Sequence, residues 1–292
     1  MPPKQNTGSG SWSDRTTWTP EGVPFSSTNV LLDTGSPATV TLTGDGNALS
    51  VVIGNLNALA LVSGNIFASR INITPGGILE AQSGNDFASS VINQGGVVNV
   101  DSNAMLRLGY NAAQGGSLRV ADNATAEITT SQLKNTGDIS LNSTGNTTTL
   151  LLSSITSLTT ELSVKNDNYS YDGGSLILSD SAENIVTISD RGGRFTNVNN
   201  TISGAGQLGA GNMSIENQAA VGDSLKTGDH SQGVINATGT NNALVIDTGP
   251  TRTLTNAGLI QASGKAGLVI GNPDLSLSAN TVTNTSTSAQ RI

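Results

Sequence analysis

Between Ile71 and Leu141 short apolar runs alternate with pairs of turn residues. The runs are Ile71-Asn72-Ile73, Ile78 to Ala81, Val97 to Val100, Leu118 to Val120 and Ile139 to Leu141. The turns are Gly76-Gly77, Gly95-Gly96, Gly115-Gly116 and Gly137-Asp138, in steps of 19, 20 and 22 residues. Each run is too short for a helix and is bounded by Gly, Asn, Asp or Ser, so each is a predicted strand. A period of about 20 residues holding two or three strands suits a coil of a parallel β-helix, which must return the chain about 4.8 Å along its axis. The expected architecture is therefore a right-handed parallel β-helix of about 13 to 15 coils, at about 20 residues per coil. Ile73, Val97, Leu118, Ile139 and Ile260 are expected to point into its core.

A second pattern marks the corners. The motif apolar-x-Asn-x-Gly-x-apolar occurs at Val91 to Val97, Leu133 to Ile139 and Leu254 to Ile260. Asn and Gly tolerate the backbone angles that turn a chain, and the apolar residues on either side are expected to face inward. The strand pattern begins at Asn29 to Leu32 and runs to Val282. It is interrupted by Thr147 to Asp172, whose second half, Asn166 to Asp172, is polar and carries Tyr169 and Tyr171. Two segments result: a cap over residues 1–25 and a parallel β-helix over 26–292, taken as a fragment of a longer repetitive protein.

Composition agrees with a solenoid. Aromatic residues make up 3% and charged residues 12%, against about 25% charged in an ordinary domain. Stacked Val, Ile, Leu and Ala fill such a core, and Ser, Thr and Asn cover its surface. The 31 asparagines can hydrogen-bond in ladders between coils. A net charge of −8 without a basic cluster gives no footprint for nucleic acid or an anionic membrane. Cysteine is absent, which removes disulfides and Cys-ligated zinc. No run approaches signal-peptide or membrane-spanning length, so no insertion of this segment into a membrane is expected.

Both tryptophans, Trp12 and Trp18, lie in the first segment with Pro20, Pro24 and Phe25. Folded across the first coil, the rings would shield its apolar end and block edge pairing. The competing reading is a stacking platform for sugar rings. Tyr169 and Tyr171 are the other candidate ligand contacts, being rare aromatics in a polar loop.

The search for reaction chemistry assigns no catalytic, cofactor-binding or metal-ligating residue. The one histidine, His230, stands in Asp229-His230-Ser231, and sequence neighbours do not make a triad. Acids are scattered, unlike the clustered Asp residues of polysaccharide-cleaving β-helices. Gly44-Asp45-Gly46-Asn47 and Asn166 to Asp172 offer oxygen atoms but lack the nonapeptide calcium repeat. Gly204-x-Gly206-x-x-Gly209 matches a dinucleotide fingerprint formally and lacks the helix that would hold a pyrophosphate.

The opening Gly10-Ser-Trp12 to Trp18-Thr-Pro-Glu-Gly-Val-Pro24, the repeating coils and Ile202-Ser-Gly-Ala-Gly206-Gln-Leu-Gly209 resemble the β-helical passenger regions of bacterial autotransporters and related large surface adhesins. The resemblance implies display outside the outer membrane and attachment to host or neighbouring-cell surfaces, glycans among them. The expected function is a non-enzymatic extracellular adhesin or stalk that needs no cofactor. The rivals are a polysaccharide-acting β-helix, either lyase-like or a phage tailspike, and an antiparallel β-sandwich array.

Overall fold

A computed structural model describes residues 2–130, 132–152, 155–159, 163–165, 168–170, 173–189, 193–218, 232–271 and 281–284. Among them the chain is all β apart from one short 3-10 turn at Arg15–Thr17. Strands stack in parallel as a β-solenoid of about 10 turns at about 21 residues per turn. The antiparallel sandwich is excluded: the ladders between turns are parallel, and among the described residues antiparallel pairs join only Lys4–Asn6 to Trp18–Thr19 and Ser163–Lys165 to Asn168–Ser170. Two compact units divide the chain, residues 1–129 and 130–292.

In the first unit the register follows the sequence period closely. Val40 pairs with Leu59, Leu59 with Leu79, Leu79 with Val98 and Val98 with Leu118, and all five side chains are buried. A second set of strands repeats in the same way: Ala48 pairs with Ala68, and Ala88 with Leu108 and Leu108 with Ile128. A third set stacks Val30, Val51, Ile71 and Val91. Each turn therefore has three strands, and inward residues of one turn meet their counterparts one turn away. That stack is the core, because alternate residues of every strand leave water together.

The second unit keeps the stacking and relaxes the spacing. Ile139, Leu176, Ile202, Ile235 and Ile260 form one inward column. Its steps are uneven, since Ile139 pairs with Leu176 and Ile202 with Ile235, 37 and 33 residues on. Residues spent between strands do not add turns. The expected 13 to 15 coils are for this reason too many.

Ile73, Leu118 and Ile139 are fully buried and Ile260 is 8% exposed, as expected of core positions. Val97 is the exception: it is half-exposed, and Val98 and Val100 point inward instead. The first copy of the Asn motif is followed by two glycines, Gly95 and Gly96, where the other copies have one. The extra residue shifts the following strand by one, and one step reverses every side chain.

The glycine-rich run resembling a nucleotide fingerprint is a corner between strands Thr201–Gly204 and Gly206–Leu208. Gly204 has φ of +122°, and a Cβ there would lie 1.9 Å from the Leu178 carbonyl oxygen. Only glycine allows one turn to lie this close upon the next.

Segment 1–25, expected as a cap, contributes strands of its own. Lys4–Asn6 pairs in parallel with Asn29–Leu32, and Gly10–Ser11 with Ala38–Leu42, so the cap joins the strand stack.

Candidate functional site

The four aromatic candidates separate into two groups. Trp12 and Trp18 are 2% and 0% exposed, with ring centroids 5.1 Å apart at 75°. The Trp18 indole N–H donates to the Trp12 carbonyl at 2.9 Å, and the Trp12 N–H donates to Thr41 at 2.8 Å. With both rings buried, neither presents an open face for stacking on a sugar. Burial of two large rings against the first turns provides more than their polar edges require, which is why they face inward. Tyr169 belongs to the strand Asn168–Ser170, which pairs with Ser163–Lys165, while its side chain, Tyr171 and His230 lie outside the described residues.

A different pair of rings reaches the surface, Phe67 exposed and Phe87 half-buried. Asn47, Phe67, Phe87, Arg107 and Glu127 recur at 20-residue steps on one outward face of the first unit. The ladder aligns Asn47 with Phe67, Phe87 with Arg107 and Arg107 with Glu127. Between Phe67 and Phe87 the register slips, with Asn65 opposite Phe87, so the rings meet diagonally, 5.6 Å apart and tilted by 46°. Diagonal neighbours in a sheet are within reach of aromatic side chains. Phe67 is 40% exposed. On the next rungs Arg107 Nε donates to Glu127 Oε2 at 2.8 Å, the arginine side chain being 54% exposed and the glutamate 11%.

The surroundings of this column are polar and already organised. Asn65 donates to Asp45 at 2.7 Å, and Asn123 to Asn103 at 2.7 Å. The Ser89 hydroxyl accepts from the Ala68 N–H at 2.9 Å and donates to the Ala68 carbonyl at 2.8 Å, satisfying backbone groups at the slip. Two ring faces beside a charged pair, set among amides and hydroxyls, can stack on the C–H face of a sugar and hydrogen-bond its hydroxyls. The signal in the sequence is the 20-residue recurrence of the outward residues, which a search for paired glycines and apolar runs passes over.

Four aspartates are perturbed by their surroundings, Asp14 and Asp180 downward and Asp86 and Asp101 upward, and Asp86 and Asp180 show the two causes most plainly. Asp86 is 2% exposed; its Oδ1 accepts from Gly64 N–H at 2.6 Å and its Oδ2 is buried without a partner. Burial raises its pKa, partly offset by the Gly64 bond. Asp180 is the opposite case. Its carboxylate accepts the backbone N–H groups of Asn241 and Asn242 at 2.9 Å each and of Thr240 at 3.0 Å, and these bonds, led by Asn241, lower its pKa. A carboxylate with its lone pairs filled in this way fastens a loop and is poorly placed to move a proton.

In the second unit Thr187, Ala210, Gly211, Asn212, Thr251 and Arg252 line an open cleft of about 580 Å³. Its size lies in the range of small-ligand sites, and its lining is mostly polar. Among the described residues no group of three or more His, Cys, Asp or Glu is placed to hold a metal ion, and no helix is long and apolar enough to cross a membrane. Comparison of the chain with family models, curated proteins and solved structures finds no match.

Proposed function

We propose that this chain is a non-enzymatic surface adhesin or stalk that holds glycan-bearing surfaces through the outward face of its solenoid. The observation that carries the reading is the Phe67–Phe87 pair beside Arg107 and Glu127. In a chain with 3% aromatics, two of four phenylalanines stand together on an outward face. Water-exposed rings cost solvation free energy unless a partner covers them, and the polar neighbours suit a partner that is apolar on one face and hydroxylated at its rim. A single such contact is weak, and many copies on one cell would multiply it. The likeness of Gly10 to Pro24 and Ile202 to Gly209 to autotransporter passengers supports display outside a bacterial outer membrane.

The test is to couple the chain to beads and measure attachment to glycan-coated and host-cell surfaces, while following release of reducing or unsaturated sugars from a polysaccharide panel. Attachment that falls at least about tenfold in Phe67→Ser/Phe87→Ser supports the reading, since losing a stacked ring contributes on the order of 1.4 kcal/mol or more. Sugar release without attachment would overturn it in favour of a polysaccharide-acting enzyme.

A further inference from the structure

Arg252 stands where the second unit turns between strands Leu244–Ile246 and Thr253–Asn256. Among the described residues its Nε is buried with no acceptor, and Nη1 reaches only the Gly211 carbonyl at 3.5 Å, the outer limit of a hydrogen bond. Among the described residues Arg15, Arg107 and Arg194 each face a glutamate, at 3.3, 2.8 and 3.2 Å, whereas Arg70, Arg119 and Arg252 face none, and of these three Arg252 is the one with a buried, unpaired guanidinium nitrogen. A buried guanidinium N–H without an acceptor is costly, and a bound acceptor would remove that cost.

The cleft around it indicates what kind of acceptor fits. Thr187 and Thr251 supply hydroxyls, Asn212 an amide, and Gly211 a wall of bare backbone. The Asn212 amide is held in place by donating to the Ile188 carbonyl at 2.9 Å. Asp247 borders the cleft beside Gly211 without lining it, and its Oδ1 accepts from the Gly249 N–H at 2.9 Å. A planar fork of donors matches an oxyanion in two-pronged geometry, and the hydroxyls and amide match a hydroxylated framework attached to it.

We propose that this cleft binds the oxyanion of an acidic saccharide, a uronate carboxylate or a sugar sulfate, with Arg252 as its anchor and Thr187, Asn212 and Thr251 as partners for the sugar hydroxyls. The chain carries a net charge of −8, so anions are not drawn from a distance and recognition must come from contact. That favours a ligand with hydroxyls to add to its charge. The site stands on the second unit and does not rest on the ring pair of the first.

The experiment is calorimetric titration of the full chain with an oligogalacturonate, a sulfated oligosaccharide, a neutral oligosaccharide of the same length and sodium sulfate alone. Acidic saccharides should bind at least about tenfold more tightly than the neutral one. Arg252→Gln should weaken them about ten- to hundredfold, the range of a lost charge-assisted pair. Because Arg252→Gln also alters a half-buried side chain, Thr251→Glu is the second variant: Thr251 is exposed, and a carboxylate there would occupy the guanidinium internally. It should abolish binding while the melting temperature holds or rises. Binding of one acidic class alone upholds the site and names its ligand. Equal binding of sulfate alone and sulfated saccharide, no preference over the neutral sugar, or unchanged binding in both variants would overturn the proposal.

Discussion

Asn217 and Asn256 are joined by a buried hydrogen bond of 2.8 Å that runs from one turn of the solenoid to the next. On its other side Asn217 accepts from Asn197 at 2.9 Å, so three amides form a ladder inside the second unit. The backbone register that stacks Asn197 on Asn217 and Asn217 on Asn256 sets their spacing. Each amide both donates and accepts, so an in-register column pairs side chains between turns and leaves further donors for the corner carbonyls. Asn217 Nδ2 also reaches the Gly233 carbonyl at 3.0 Å.

Breaking this ladder should be costly. Asn217→Leu leaves one Asn197 amide hydrogen and the Asn256 amide oxygen short of a buried partner, each worth about 1–3 kcal/mol, while the Gly233 carbonyl keeps the Leu259 N–H at 2.9 Å. The urea midpoint should fall by an amount equal to about 2 kcal/mol or more, with an unchanged slope. A loss below about 0.5 kcal/mol would show that the ladder contributes nothing net.

The inward and outward sides of one strand can be separated by a single step. Val98 is fully buried and Val97 is half-exposed. Val98→Asp places an unpaired charge in the apolar stack and should cost more than about 3 kcal/mol, whereas Val97→Asp should cost about 1 kcal/mol or less. Ile139→Asp should resemble Val98→Asp, since Ile139 is also fully buried beside Leu176. Equal effects at Val97 and Val98, measured by chemical denaturation, would contradict the register.

The ring pair should matter to attachment more than to folding. Phe67 is 40% exposed, so Phe67→Ser should change stability by about 1 kcal/mol or less while attachment to glycan-coated beads falls. Arg107→Gln should weaken attachment as well, and its partly exposed pair with Glu127 should contribute at most about 1 kcal/mol to folding. Attachment that survives both changes would remove this face from the binding surface.

Two aspartates should give stability opposite dependences on pH. Asp86 has a raised pKa in the fold, so its contribution is fully present below the ordinary value of 3.8 and is lost as pH rises through the raised value. Asp180 has a lowered pKa, so its contribution is present above 3.8 and is lost as pH falls through the lowered value. Asp86→Asn should flatten the decline of stability on the way to neutral pH, and Asp180→Asn should flatten the loss in acid. Thermal melts across that range would check both, and an unchanged profile in either variant would refute the assignment for that residue.

The solenoid was legible in the sequence because its geometry repeats: every turn must advance by one strand spacing, so Ile71, Leu118 and Ile139 recur with their turns and declare the period. The asparagine corners were legible for the same reason, but their burial was not, since asparagine was expected on the surface. Asn93, Asn135 and Asn256 mark corners, and all three are buried at the ends of inward-facing strands. What the period could not decide was the phase of each strand. One additional glycine after Asn93 turns Val97 outward, and a local slip brings Phe67 diagonally onto Phe87. The fates of the aromatic residues likewise depended on packing: Trp12 and Trp18 had more area to bury than any solvent-exposed role required, and the first turns provided the surface. Arg252 shows the same limit, because a lone arginine in a sequence carries no sign of whether an acceptor will reach it. Its environment is assembled from strands and turns some 65 residues apart, from Thr187 to Arg252, which only the stacking of turns brings together.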